Sequence, residues 1–170
     1  VVSRDKDLRQ LQGWSYGWEL GRQASFGPEL ITKEGYIKLS PKRDKIVGTG
    51  LSFFYSQVLT GDATDNIPGL PNTGPVAAFE LLQGRTPAEQ LEAVRQAYMG
   101  HYGQGVVTIN ISSNTLIDSS TIGPITIPPG GTGWFEAEVW GRELLEQGRL
   151  CWLVRRFNED GGPQLWEIGM

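Results

Sequence analysis

The sequence predicts an α/β protein that is mostly helical and carries a small β-rich insertion. Residues 51–59 place apolar side chains at helical spacing. Thr86, Pro87 and Glu89 form a helix start with an N-cap, a proline at the first position and a capping acid. Residues 105–133 contain a single charged side chain, and Val107, Ile109 and Ile111 alternate with polar residues as strands do.

The elements before the first long helix are short. Val1 and Val2 predict the end of a buried strand, and Ser3 is a candidate N-cap for a helix that follows it. Residues 30–32 and 36–39 predict the two strands of a hairpin.

Later elements follow from periodicity and breakers. The helix over 51–59 leads directly into the loop TGDATDN, and a second helix is expected from residue 87 to about residue 99, with His101 near its end. Helical, charge-rich sequence resumes at Trp134 and includes Cys151, the single cysteine, as a small core residue. We therefore divide the chain into residues 1–104, the insertion 105–133, and a C-terminal helix and tail over 134–170.

Composition limits the function classes. With 170 residues, 39% of them apolar, the chain can bury one core and a small appendage. A net charge of −4 argues against a general polyanion binder, so DNA contacts would depend on local patches such as Lys42, Arg43 and Lys45, or Arg155 and Arg156. Short clusters of this kind are more often only solvated surface. No apolar stretch has the length of a membrane span, and a reducing cytoplasm is expected.

Two aspartate pairs are the strongest functional signal. Asp5 and Asp7 stand in SRDKDL, and Asp62 and Asp65 stand in TGDATDN. Closely spaced carboxylates supply the oxygen ligands that hard divalent cations prefer. Acids in a first helical turn also complement the helix dipole, and the second pair also fits a capped surface loop, so both structural alternatives stay open.

The strings SRDKDL, LTGDATDNIPG and GLPNTGPVAAFELL, in this order, resemble the 5′ nuclease family. That family includes flap endonucleases, the 5′-to-3′ exonuclease domain of bacterial DNA polymerase I, and phage exonucleases. The resemblance covers residues 1–104 and 134–170 and implies the C-terminal part of a 5′ nuclease fold. It implies that Asp5, Asp7, Asp62 and Asp65 bind two Mg²⁺ or Mn²⁺ ions, which activate water for phosphodiester hydrolysis.

The run from Gly69 to Leu82 resembles the helix-three-turn-helix of this family. The resemblance implies contacts between DNA phosphates and the backbone at Gly69, Asn72, Gly74, Pro75 and Val76, and a bound K⁺. Relatives usually carry a basic residue near Val76, and its absence here weakens the expected phosphate affinity. The implied partner is duplex or flap DNA, bound without sequence preference.

The resemblance also implies an N-terminal half that would precede Val1, so we expect this chain to be a fragment that cleaves DNA poorly by itself. Two alternatives remain: a non-catalytic DNA-binding module, and a structural protein that works through the β-rich insertion. The insertion has three interpretations: a β-hairpin that lies against the domain, a strand module for oligomerisation, or foreign sequence joined to the gene. Strands with few charges associate readily when they are left unpaired, so self-association through residues 105–133 is one of the alternatives.

Overall fold

The computed structural model describes residues 1–103, 106–111, 133–152 and 164–168. A single 3-10 turn, Asp7–Gln10, precedes the first strand. Within the described residues the strands and helices follow in the order β1 Gly13–Gly17, β2 Phe26–Ile31, β3 Tyr36–Leu39, β4 Ile46–Thr49, α1 Gly50–Thr60, α2 Pro75–Leu82, α3 Pro87–Tyr102, β5 Val106–Ile111, β6 Gly133–Glu138 and α4 Val139–Cys151.

The strands form three antiparallel pairs, β1 with β2, β3 with β4, and β5 with β6. The predicted hairpin between residues 30–32 and 36–39 is therefore wrong, although both strands exist. The residues between the two strands instead cap the start of α1. The carbonyls of Lys33 and Glu34 accept hydrogen bonds from the amides of Leu51 and Ser52 at 2.9 and 3.0 Å. These amides lie in the first turn of a helix, where no intrahelical acceptor exists.

Helix α1 is buried along almost its whole length, from Gly50 to Leu59. The predicted helix over residues 51–59 is confirmed, and its burial on all sides makes it the central helix of the described residues. The ring of Phe54 is fully buried and contacts the rings of Tyr55, Trp152 and Trp166 at centroid distances of 5.1 to 5.5 Å. Edge-on aromatic contacts of this kind add to the free energy of burial.

One hydrophobic core joins all four helices. Trp140, Leu144, Leu145 and Cys151 of α4 belong to the same buried cluster as α1, α2 and α3. Cys151 is buried, as predicted for a small core residue. The C-terminal region therefore packs on the centre of the protein.

Helix α3 has the predicted start. Thr86 and Glu89 form a reciprocal capping box, and Pro87 is the first helical residue. The helix continues to Tyr102, so His101 lies in its last turn, as expected. The hydroxyl of Tyr98 donates a hydrogen bond of 2.8 Å to the carbonyl of Val58, which ties α3 to the end of α1.

The C-terminal helix is present but starts later than predicted, and the buried strand predicted at the N-terminus is wrong. The C-terminal helix begins at Val139, because Gly133–Glu138 pairs with Val106–Ile111 as a strand, and it ends at Cys151. At the N-terminus Val1 and Val2 are exposed, and Val2 forms only an isolated bridge with Tyr16. Residues 112–132 of the insertion, and Arg155 and Arg156, lie outside the described residues.

The helices that can be described are all too short or too polar to cross a lipid bilayer.

Removing the Tyr98 hydroxyl should weaken the contact between α3 and α1. The Tyr98→Phe variant leaves the buried carbonyl of Val58 without its donor, so we expect the free energy of unfolding to fall by about 1 kcal/mol. The matched control is Tyr102→Phe, because the hydroxyl of Tyr102 makes no hydrogen bond within the described part of the chain. Urea denaturation followed by tryptophan fluorescence measures both; equal losses would contradict this role of the Tyr98 hydroxyl.

Candidate metal centre and adjoining segments

The loop after α1 positions Asp62. Gly61 ends the helix at a φ of 68°, and an added Cβ there would lie 2.2 Å from the carbonyl oxygen of Ile67. The backbones of Asp62 and Ile67 then exchange two hydrogen bonds of 2.8 and 2.9 Å. A closed, non-helical turn therefore holds Asp62 and Asp65, in agreement with the loop that the turn-forming residues predicted.

Asp7 is held against α1 by two glutamine side chains. The amide nitrogen of Gln57 donates to Asp7 Oδ1 at 2.5 Å, and the Gln57 oxygen accepts from Gln10 at 2.5 Å. Gln10 also donates to the carbonyl of Cys151 at 3.2 Å, so the end of α4 joins the same network. Gln10 and Gln57 are both buried. A buried, hydrogen-bonded amide fixes the carboxylate that it contacts.

Three of the four predicted acids converge. One carboxylate oxygen from each of Asp7, Asp62 and Asp65 lies within 4.8 Å of the others. Asp5 does not join them, since its side chain is exposed and its Oδ1 accepts the backbone amide of Asp7 at 2.9 Å. The hydroxyl of Ser3 forms a similar turn by accepting a hydrogen bond from the amide of Asp5 at 3.0 Å. Ser3 therefore caps a turn and does not cap a regular helix.

The arrangement fits one hard cation. Oxygen ligands stand about 2.0–2.6 Å from Mg²⁺ or Ca²⁺, so two oxygens on opposite sides of an ion are about 4–5 Å apart. The observed limit of 4.8 Å falls in this range. Within the described residues, Asp7, Asp62 and Asp65 are the side chains that could hold such an ion.

Lys6 already places a positive charge in the cluster. Its ammonium contacts Asp62 Oδ2, while the amide of Thr64 donates to Asp62 Oδ1 at 3.0 Å. Burial opposes ionisation of the Asp62 carboxyl, but these two donors outweigh it and lower its pKa. Burial likewise opposes the charge of Lys6, but the hydrogen bond to Asp62 and the negative charges of Asp62, Asp7 and Asp65 together outweigh it and raise the pKa of Lys6.

Asp7 has a different electrostatic balance. Burial of its carboxyl raises its pKa, and the hydrogen bond from Gln57 and the charge of Lys6 only partly oppose that effect. Burial also raises the pKa of the nearby Cys151 thiol to about 12, and the charges of the three clustered aspartates act in the same direction. The thiol is therefore protonated and unreactive at neutral pH.

The predicted DNA-binding residues come directly after the loop that holds Asp62 and Asp65. Asn72 adopts a φ of 61°, and Gly74 and Pro75 begin α2, as their residue types suggested. Val76 lies in the first turn of this helix, and Gly74 provides no side-chain cap. Gly69 differs from the others, because its amide donates to the buried Gln147 at 3.0 Å and is not available to a phosphate.

Several side chains around the site have no signal in the sequence. The role of Gln10 and Gln57 could not be predicted from the sequence, because their contact joins positions that are 47 residues apart. Lys6 had the best available signal, since it stands between Asp5 and Asp7. Arg43 of the predicted basic patch lies 3.6 Å from Glu80 of α2, which places the patch beside the predicted DNA-binding helix.

Comparison with known proteins relates half of the chain to one curated relative. Over 85 residues the chain is 34% identical to a protein named DNA polymerase I from Rhizobium leguminosarum. The match covers 49% of this chain and 7% of that much longer protein. No family model and no solved structure matches the chain. The similarity agrees in outline with the resemblance of the motifs to a family that includes a domain of bacterial DNA polymerase I.

Replacing Lys6 by Met removes the cation that contacts the buried Asp62. At pH 7 we expect the free energy of unfolding to fall by about 1–2 kcal/mol, less than for a fully buried pair because the Lys6 side chain is 53% exposed. The control is Lys42→Met, an exposed lysine without an ion pair to any described residue.

The difference between wild type and Lys6→Met should depend on pH in a defined way. The pKa of Asp62 is lowered from 3.8, so the stabilisation is complete above pH 3.8 and disappears as the pH falls through the lower, folded value. The pKa of Lys6 is raised from 10.5, so the stabilisation is complete below pH 10.5 and disappears as the pH rises through the higher, folded value. A difference that is the same at acidic and neutral pH would show that Lys6 acts through packing.

Proposed function

We propose that this chain carries part of the metal centre of a 5′ nuclease that hydrolyses phosphodiester bonds in DNA. The observation that carries the proposal is the convergence of Asp7, Asp62 and Asp65 within 4.8 Å, from segments more than fifty residues apart in the sequence. Carboxylates this close repel one another by roughly 3 kcal/mol per pair at an effective dielectric constant of about 20. A divalent cation offsets that repulsion and takes the oxygen ligands offered.

In this proposal Mg²⁺ or Mn²⁺ binds directly to the three clustered aspartates. Lys6 withdraws when the ion enters, which its exposed, flexible side chain allows. Asp5 serves through a water molecule or at the second ion, because it lies beside the cluster and holds the amide of Asp7. Two such ions polarise the scissile phosphate, lower the pKa of the attacking water and neutralise the leaving oxygen.

The proposed DNA contact is the segment from Asn72 to Val76. Pro75 has no amide hydrogen, and the amides of Val76 and Ala77 lie too early in α2 to have an intrahelical acceptor. Such amides bind phosphate oxygens. Arg43 lies beside this helix, 3.6 Å from Glu80, and Lys42 precedes it in the sequence; in the family that the motifs resemble, a basic residue usually stands near Val76. A K⁺ ion held by carbonyls of the same segment is part of the proposal.

The proposal extends to substrate and setting. The DNA is duplex or flap, recognised through its backbone, and the setting is a bacterial or phage-infected cytoplasm. The similarity to a protein named DNA polymerase I supports DNA as the partner. A DNA-binding module without catalysis, and a structural protein built around the β-rich insertion, are the functions that the experiments below separate from it.

Metal binding is tested by thermal unfolding. At a Mn²⁺ concentration ten times the dissociation constant, the wild type should gain about 1.4 kcal/mol, a rise in melting temperature of roughly 3–6 °C. Asp62→Asn removes a ligand charge and should abolish this rise. Asp44→Asn makes the same chemical change in an exposed turn outside the cluster and should keep it. An equal rise in both variants would remove the metal centre from consideration.

The same two variants connect the ion to catalysis. Cleavage of a 5′-flap substrate by this chain alone should be slow, because three carboxylates account for one cation and the proposed mechanism uses two. Joining the chain to the N-terminal half of a 5′ nuclease should accelerate Mn²⁺-dependent cleavage in Asp44→Asn but not in Asp62→Asn. Metal binding without any gain in cleavage would favour the non-catalytic DNA-binding module.

The DNA contact is tested at Gly74. Its φ is not in the left-handed region, and an added Cβ meets no atom within 4 Å, so Gly74→Val should fold normally. The new side chain would crowd the approach of a phosphate to the first turn of α2, and duplex binding should weaken roughly fivefold to tenfold. Gly100→Val is the control, because Gly100 is equally open and lies in α3. Binding is measured by salt titration on a labelled duplex; wild-type affinity that is independent of salt would favour the structural protein.

A further inference from the structure

A small basic cavity adjoins the acidic cluster. Its volume is about 180 Å³, and its wall contains the side chains of Arg4, Lys6, Arg9 and Lys45. Phe26 and Phe53 complete the wall together with the start of β4, and no carboxylate lines it. Four cationic groups around one cavity without a lining acid are unusual, because like charges raise the free energy of the folded protein.

The charges of two lining residues have partners outside the cavity. Lys6 contacts Asp62, and Arg9 pairs with Glu29 at 2.7 Å. Arg4 has only neutral acceptors, since it donates to the carbonyl of Ala24 at 2.9 Å and to the Gln23 side chain at 2.6 Å, besides the carbonyl of Trp18. The ammonium of Lys45 forms no ion pair with a described residue. The cavity therefore retains about two positive charges that the described residues do not neutralise.

Both arginines are held in place and have unused donors. Their guanidinium groups lie over the Phe26 ring at 5.5 and 5.0 Å from its centroid. That ring in turn packs on the backbone of Gly17, where an added Cβ would lie 2.1 Å from it. The Nε atoms of Arg4 and Arg9 are buried and have no acceptor among the described residues. A buried donor without an acceptor is costly.

Phosphate is the anion that suits these groups. Arginine presents a planar fork of N–H donors that matches phosphate oxygens, and lysine adds a compact charge. The acidic cluster and the cavity meet at Lys6, which contacts Asp62 and lines the cavity. The two sites are therefore direct neighbours in the protein.

We infer that this cavity is a phosphate-binding subsite, which holds a phosphate of the DNA strand next to the one at the candidate metal centre. The choice of DNA as the source of the phosphate rests on the proposed function. The anion site itself rests on the four cationic side chains that line the cavity, of which Arg4 and Lys45 have no carboxylate partner among the described residues.

The test uses the intact chain in EDTA, so that the metal centre plays no part. Fluorescence anisotropy reports the binding of a labelled single-stranded oligonucleotide as the salt concentration changes. Lys45→Gln should weaken binding about fivefold and make the slope of log K against log salt shallower by about 0.7, the contribution of one phosphate contact. Lys33→Gln changes the same charge on an exposed residue outside the cavity and should leave both quantities unchanged. Arg4→Gln should weaken binding in the same way as Lys45→Gln. If the Arg4→Gln variant does not fold, Lys45→Gln alone provides the test.

The source of the phosphate is tested in the same assay. Inorganic phosphate should compete with the oligonucleotide for the wild type and much less for Lys45→Gln. Equal behaviour of Lys45→Gln and Lys33→Gln in both oligonucleotide binding and phosphate competition would overturn the subsite. Oligonucleotide binding that is unchanged in Lys45→Gln, together with competition by inorganic phosphate that is lost in this variant, would overturn only the assignment of the subsite to DNA. The binding assay contains EDTA and therefore no free metal ion. Its outcomes can be interpreted even if the Mn²⁺ experiment shows no metal binding.

Discussion

The burial of helix α1 is the constraint on which the rest of the structure depends. Every residue from Gly50 to Leu59 is buried, and the other three helices share one core with it. This helix ends directly before Asp62, and its own Gln57 holds Asp7. Hydrophobic burial therefore determines where the charged groups stand, because a shift of α1 would move both halves of the acidic cluster.

The two candidate sites have opposite charge and share one side chain. The acidic cluster suits a cation and the basic cavity suits an anion, and Lys6 belongs to both. In the absence of ligands Lys6 partly neutralises the aspartates. A metal ion would replace that charge and free Lys6 for a phosphate. The proposed cleavage of phosphodiesters would need both kinds of site at neighbouring positions, and Lys6 links the two candidate sites.

Local sequence patterns account for the helices better than for the strands. The capping box at Thr86 and the apolar spacing of residues 51–59 depend on near neighbours, so both helices were predicted. The pairing of Tyr36 with Thr49 and of Leu30 with Trp14 depends on distant residues, so the predicted hairpin failed. Residues 135–138 alternate between apolar and acidic side chains, yet the charged run that follows them suggested a helix. The acids were predicted from motifs, whereas the glutamines and arginines around them needed the fold.

The burial of Cys151 has a practical consequence for experiments on this protein. Cys151 is the single cysteine in the sequence, and the pKa of its thiol is raised to about 12. A cysteine introduced on the surface would have a thiol pKa of about 8.5. Its thiolate fraction at neutral pH would therefore exceed that of Cys151 by roughly three orders of magnitude. A thiol-reactive dye would then label the new position alone. A single dye could thus be placed at any chosen surface position of the otherwise native chain. Cys151 would not have to be replaced in the core.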